Sequence, residues 1–101
     1  GWEAYYETDL VGTAENTLDE SLMLYPNPAR NEVQLSWKSK QGASLALELS
    51  NMSGQILIRK EITSGGVQNN FSLDVSGYGP GIYLLKMIRE GEVVYRKLIL
   101  E

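Results

Sequence analysis

The sequence predicts an all-β sandwich of about seven antiparallel strands. Three observations predict it. From Leu22 onward, short runs carry apolar residues at every second position. Clusters of Gly, Pro, Asn and Ser separate these runs at the regular spacing expected of a sandwich. No segment shows a helical apolar stripe with a cap before it and Gly after it.

The elements follow in order. Leu22-Met23-Leu24-Tyr25 is a short apolar run halted by Pro26-Asn27-Pro28. Proline has no N–H for a sheet ladder and pushes the residue before it toward extended backbone, so the motif reads as a bend into the next strand. Val33, Leu35 and Trp37 alternate with Glu32, Gln34, Ser36 and Lys38, the pattern of a half-buried strand with Trp37 in the core. Leu45, Leu47 and Leu49 alternate in the same way with Ala46, Glu48 and Ser50. Asn51-Met52-Ser53-Gly54 is a tight turn in which Gly54 is free to take a positive φ.

Ile56, Ile58 and Ile62 share one face of the next strand, with Arg59 and Glu61 on the other. Ser64-Gly65-Gly66 breaks the run, and Phe71, Leu73 and Val75 then alternate with Asn70, Ser72 and Asp74. Ile82-Tyr83-Leu84-Leu85-Lys86-Met87-Ile88 is apolar on both faces, as in a strand at the middle of a sheet. Glu90-Gly91 is a two-residue hairpin turn into the last strand, Val93 to Leu100.

Composition narrows the function. The chain has 101 residues, enough for one small core. With 43% hydrophobic and 22% charged residues it has the make-up of a folded domain, not of a disordered one. It contains neither Cys nor His, which removes disulfides, thiolate clusters, Cys nucleophiles and the commonest general base and metal ligand. No Ser or carboxylate spacing pairs a nucleophile with a base, so the chain is not expected to be an enzyme and no cofactor is expected.

The net charge of -4 is uneven: residues 1–20 hold six acids and no base. The acids lack the spacing of a calcium loop. The body has no basic block for nucleic acid and no apolar run long enough to cross a bilayer as a helix. Without a starting Met or an export leader, the chain reads as a piece of a longer protein. Residues 1–21 read as an acidic interdomain linker or the end of a preceding domain, small and polar around Gly12-Thr13-Ala14 but aromatic at Trp2, Tyr5 and Tyr6.

Several groups stand out as candidates. Tyr83, two residues before the inward position Leu85 and just after Gly81, fits the corner tyrosine of immunoglobulin-like sandwiches, whose hydroxyl bonds back to the preceding loop. Gly81 would allow close backbone approach there. Lys86, Arg89, Arg96 and Lys97 lie on the last two strands, where some of them could line one basic stripe; solvated edge protection is the plainer expectation. Asn51-Met52-Ser53 and Asn70-Phe71-Ser72 fit the glycosylation triplet, but Asn51 already serves a turn.

In combination these pieces resemble a known family. Leu24-Tyr25-Pro26-Asn27-Pro28-Ala29, then Ser53-Gly54-Gln55 in a hairpin, then Gly81-Ile82-Tyr83-Leu84-Leu85-Lys86, then Lys97-Leu98-Ile99-Leu100 follow the order of the type A C-terminal sorting domain of the type IX (Por) secretion system of Bacteroidetes. The similarity covers residues 22–101. Asn51 stands where Asp is common in that family, and Tyr78 where Leu often stands.

The resemblance implies an immunoglobulin-like β-sandwich of about seven antiparallel strands that acts as an address for an N-terminal cargo. The implied partners are the type IX translocon, its shuttle proteins and a surface sortase. The implied route runs through the periplasm to the cell surface or medium, with the domain removed by a cut between about Leu10 and Leu22. Gly81, Tyr83, Lys86, Lys97, Leu98, Ile99 and Leu100 become the candidate sorting residues, the last hairpin presenting them. Tyr25, Pro26, Asn27, Pro28 and Gly54 become structural motif residues.

The alternative is an immunoglobulin-like accessory module that binds carbohydrate or a cell-surface partner through exposed aromatics such as Trp2, Trp37 or Tyr78. Open sandwich edges also allow weak self-association.

Overall fold

The computed structural model describes residues 18–101. One helical turn, α1 (Leu18–Ser21), precedes seven strands: β1 (Met23–Tyr25), β2 (Glu32–Lys38), β3 (Ser44–Asn51), β4 (Ile56–Thr63), β5 (Gln68–Asp74), β6 (Gly81–Arg89) and β7 (Glu92–Leu100). The strands form two sheets, β1-β2-β5 and β4-β3-β6-β7, and every strand pairing is antiparallel. The all-β sandwich expected from the alternation is the observed fold. In a constant-type immunoglobulin sandwich the fourth strand joins the sheet of the first, second and fifth. Here β4 pairs with β3 instead, giving sheets of three and four strands.

Alternation places the core. Val33, Leu35 and Trp37 of β2 face Leu45, Leu47 and Leu49 of β3, Leu85 and Met87 of β6 and Leu98 of β7, and none is more than 1% exposed. Turn chemistry matches the expectations. Asn51 Oδ1 accepts hydrogen bonds from the Ser53 and Gln55 N–H groups, both at 3.0 Å, and Gly54 takes φ 90°. Glu90 and Gly91 have φ of 49° and 84°, the two positive values that a type I′ hairpin requires.

Three details differ from the sequence reading. Strand β5 starts at Gln68, before Phe71, because Asn69 is buried by a local network and not by apolarity. Its Oδ1 accepts from Ser64 Oγ at 3.1 Å and its Nδ2 donates to the Gly66 carbonyl at 3.2 Å. Val75 is buried just beyond the end of that strand. Strand β6 is central, yet only one of its apolar faces is covered; Ile82, on the outer face, is 47% exposed.

The segment expected to be a linker or the end of a preceding domain ends in structure. Leu18 is fully buried, and α1 packs against both β2 and β7, bridging the two sheets. Its first N–H groups are capped from far along the chain. The Leu18 N–H donates to both Glu92 carboxylate oxygens at 2.9 Å, and the Asp19 N–H to one at 3.2 Å. Residues 1–17, with Trp2 and the aromatic start, lie outside the described residues.

Candidate functional site

The distant signature segments of the sequence meet at one end of the sandwich. After β1 the chain bends at Pro26-Asn27-Pro28, with cis bonds before both prolines. The bend lays residues 27–29 along the free edge of β7. The prolines offer no N–H, and the Asn27 side-chain amide stands in for a peptide group. Its Nδ2 donates to the Lys97 carbonyl at 3.1 Å, and its Oδ1 accepts from the Ile99 N–H at 3.1 Å. Ala29 continues the zip as a parallel bridge to Leu100. The Ala29 N–H donates to the Ile99 carbonyl and the Glu101 N–H to the Ala29 carbonyl, both at 2.8 Å.

On the other side of β7 lies the start of β6. Gly81 pairs with Leu100, Ile82 with Ile99 and Tyr83 with Leu98. Tyr83 pairs in turn with Asn51, which opens the turn holding Gly54. The Tyr83 hydroxyl donates to the Gly79 carbonyl at 2.7 Å, closing the loop before β6. Its ring, half-buried, meets Tyr78 edge to face at 6.4 Å. The Tyr78 hydroxyl itself donates to the Leu57 carbonyl at 3.3 Å. Gly81 is needed for its φ of 150° and not for close approach, since an added Cβ would lie 3.9 Å from the nearest atom, on Tyr83.

The candidate sorting residues divide by parity. Leu98 and Leu100 point into the core at 0% and 2% exposure, whereas Lys86, Lys97 and Ile99 lie on the outer face. The four bases of the last two strands form no single stripe, because strand alternation separates them. Lys86 and Lys97 face outward, and Lys86 Nζ sits 5.9 Å from the Tyr95 ring centroid. Arg89 shares the inward parity of Leu85 and Met87 and is 7% exposed. It donates to the Lys38 carbonyl and, at 3.2 Å, to Glu92. Arg96 reaches Asp19 at 2.7 Å.

Sequence reasoning missed this second cluster of Leu18, Asp19, Arg89, Glu92 and Arg96. Parity with Leu85 and Met87 was the available sign for Arg89. Elsewhere, the Asp74 carboxyl is held below its ordinary 3.8, first by the Ser76 hydroxyl and then by the Ser76 N–H, at 2.7 and 3.0 Å. Of the aromatics expected to form an accessory platform, Trp37 is 1% exposed and Tyr78 is half-buried.

The family model of the secretion system C-terminal sorting domain matches residues 23–101. The chain belongs to that family. A search of curated proteins found no match. The sorting domain therefore carries a type IX signal, works with that secretion machinery on an attached cargo, and directs export toward the cell surface. Its family is not a class of enzymes. Among the described residues no helix is long and apolar enough to cross a membrane.

Proposed function

We propose that the sorting domain is a removable delivery label, read by shape and surface charge. Cargo with its own export leader enters the periplasm and folds. The translocon and its shuttle proteins then recognise the end of the sandwich where Gly81, Tyr83, Lys97 and Ile99 gather, together with Lys86 on the same hairpin. Leu98 and Leu100 act from inside, as core that holds this surface in place. A gingipain-like surface sortase cuts upstream and joins the cargo to anionic lipopolysaccharide.

The observation that carries this reading is the zip between residues 27–29 and Lys97, Ile99 and Glu101. It makes one rigid surface from the two ends of the matched segment. The cut falls before Leu18, because a protease needs extended backbone and Leu18 is fully buried in a helical turn.

Mass spectrometry of the exported protein tests the cut. The expected mature cargo ends upstream of Leu18 and lacks the sandwich. A surface protein that keeps residues 23–101 would favour an accessory module that binds carbohydrate or a cell-surface partner.

A further inference from the structure

We infer that the outer face of the β6–β7 hairpin docks a protein surface that sets carboxylates among aliphatic groups. This rests on the sorting reading and names the chemistry of the partner. The two end rows of the face pair Ile82 with Ile99 and Ile88 with Val93, while the two middle rows pair Leu84 with Lys97 and Lys86 with Tyr95. Ile82 and Val93 are each 47% exposed and Tyr95 is 54% exposed. The outer face of the other sheet is polar along β2 and β5, where Gln34 bonds Ser72 and Gln68 bonds Ser36, and exposes Met23 and Tyr25 at its β1 edge. On this hairpin the exposed apolar side chains stand in paired rows of one two-stranded face.

Charge selects the occupant. All four arginines of the chain, at 30, 59, 89 and 96, have carboxylate partners. Lys86 and Lys97 have no ion pair among the described residues. Glu48, across the strand from Lys86, is held by Arg59 at 3.0 Å. Two cations set diagonally among apolar side chains fit a partner with carboxylates in a matching apolar setting. A second copy stacked on this face about a two-fold axis would crowd like charges together. A lipid surface fits less well, because the lysines occupy the middle rows and would be carried inward with the apolar groups.

The experiment fuses the full chain to a periplasmic reporter in a type IX-competent strain. It compares wild type with Lys86→Gln/Lys97→Glu, Lys86→Arg/Lys97→Arg and Val93→Asp, with melting followed for each purified chain. Gln is chosen at 86 because Glu there would oppose Glu48. Export of wild type and the Arg pair, and periplasmic retention of the Gln/Glu and Asp variants at unchanged melting temperature, is the expected result. Equal export of all four overturns the docking face, as does loss of export in the Arg pair. Flotation of the wild-type chain with phosphatidylethanolamine–phosphatidylglycerol vesicles, or dimerisation abolished by the Gln/Glu variant, overturns the choice of partner. Retention of wild type itself overturns the sorting reading, and this inference with it.

Discussion

The Asn27 side-chain oxygen accepts the Ile99 N–H at 3.1 Å, across 72 positions of sequence. With the bond from Asn27 Nδ2 to the Lys97 carbonyl, it ties the proline bend to the last strand. Asn27→Ala loses both bonds, and the exposed backbone groups turn to water. A loss of about 1–2 kcal/mol is expected, read from urea unfolding. Asn27→Asp should cost more, because it replaces a donor with a carboxylate facing the Lys97 carbonyl.

Leu18 and Glu92 make a second tie at the opposite end of β7. Leu18→Ala should cost about 2–5 kcal/mol as a buried deletion. Glu92→Ala removes the acceptor for the Leu18 and Asp19 N–H groups and a partner of Arg89. It should release α1 before the sandwich unfolds. A Glu-specific protease then cuts after Glu20 roughly tenfold faster or more than in wild type, since charge-assisted bonds of this kind contribute about 1.5–3 kcal/mol. An unchanged rate would show that Glu92 does not hold the turn.

Most of the sandwich is legible in the sequence because its strands are covered on one face only. Val33-Leu35-Trp37 and Leu45-Leu47-Leu49 announce themselves through alternation. Asn69 does not, since its burial rests on hydrogen bonds to Ser64, Gly66 and Val67. Nor does α1, which is too short for a helical period and receives its cap from Glu92, 74 residues away from Leu18. The bend at Pro26-Asn27-Pro28 is readable, but its landing place on β7 is not. That contact is set by how the sheets stack. The split of Lys86 and Lys97 from Arg89 and Arg96 is legible, because strand parity implies it even though the charge pattern hides it.

Tyr83→Phe and Tyr78→Phe compare two hydroxyls around one loop. The 2.7 Å bond from Tyr83 to Gly79 should contribute more than the 3.3 Å bond from Tyr78 to Leu57. A loss of about 1 kcal/mol is expected for Tyr83→Phe and less for Tyr78→Phe. Thermal melts of the two variants check the order.

Asp74 ties stability to acid. Its folded-state pKa lies below 3.8, so its contribution is complete above that value and is lost as pH falls through the lower folded one. Ser76→Ala removes the larger cause of the shift. The Asp74 pKa, followed by NMR of the side-chain carboxyl, should then rise toward 3.8. Urea midpoints between about pH 2 and pH 6 should depend less steeply on pH at the acid end.

The most direct measurement places a passive reporter with an export leader ahead of residues 1–101 in a type IX-competent strain and in its translocon-deficient counterpart. The expected result is reporter at the surface or in the medium of the first strain and in the periplasm of the second. A fusion that folds yet stays in the periplasm of both strains would contradict the assignment of this sandwich as a sufficient sorting label.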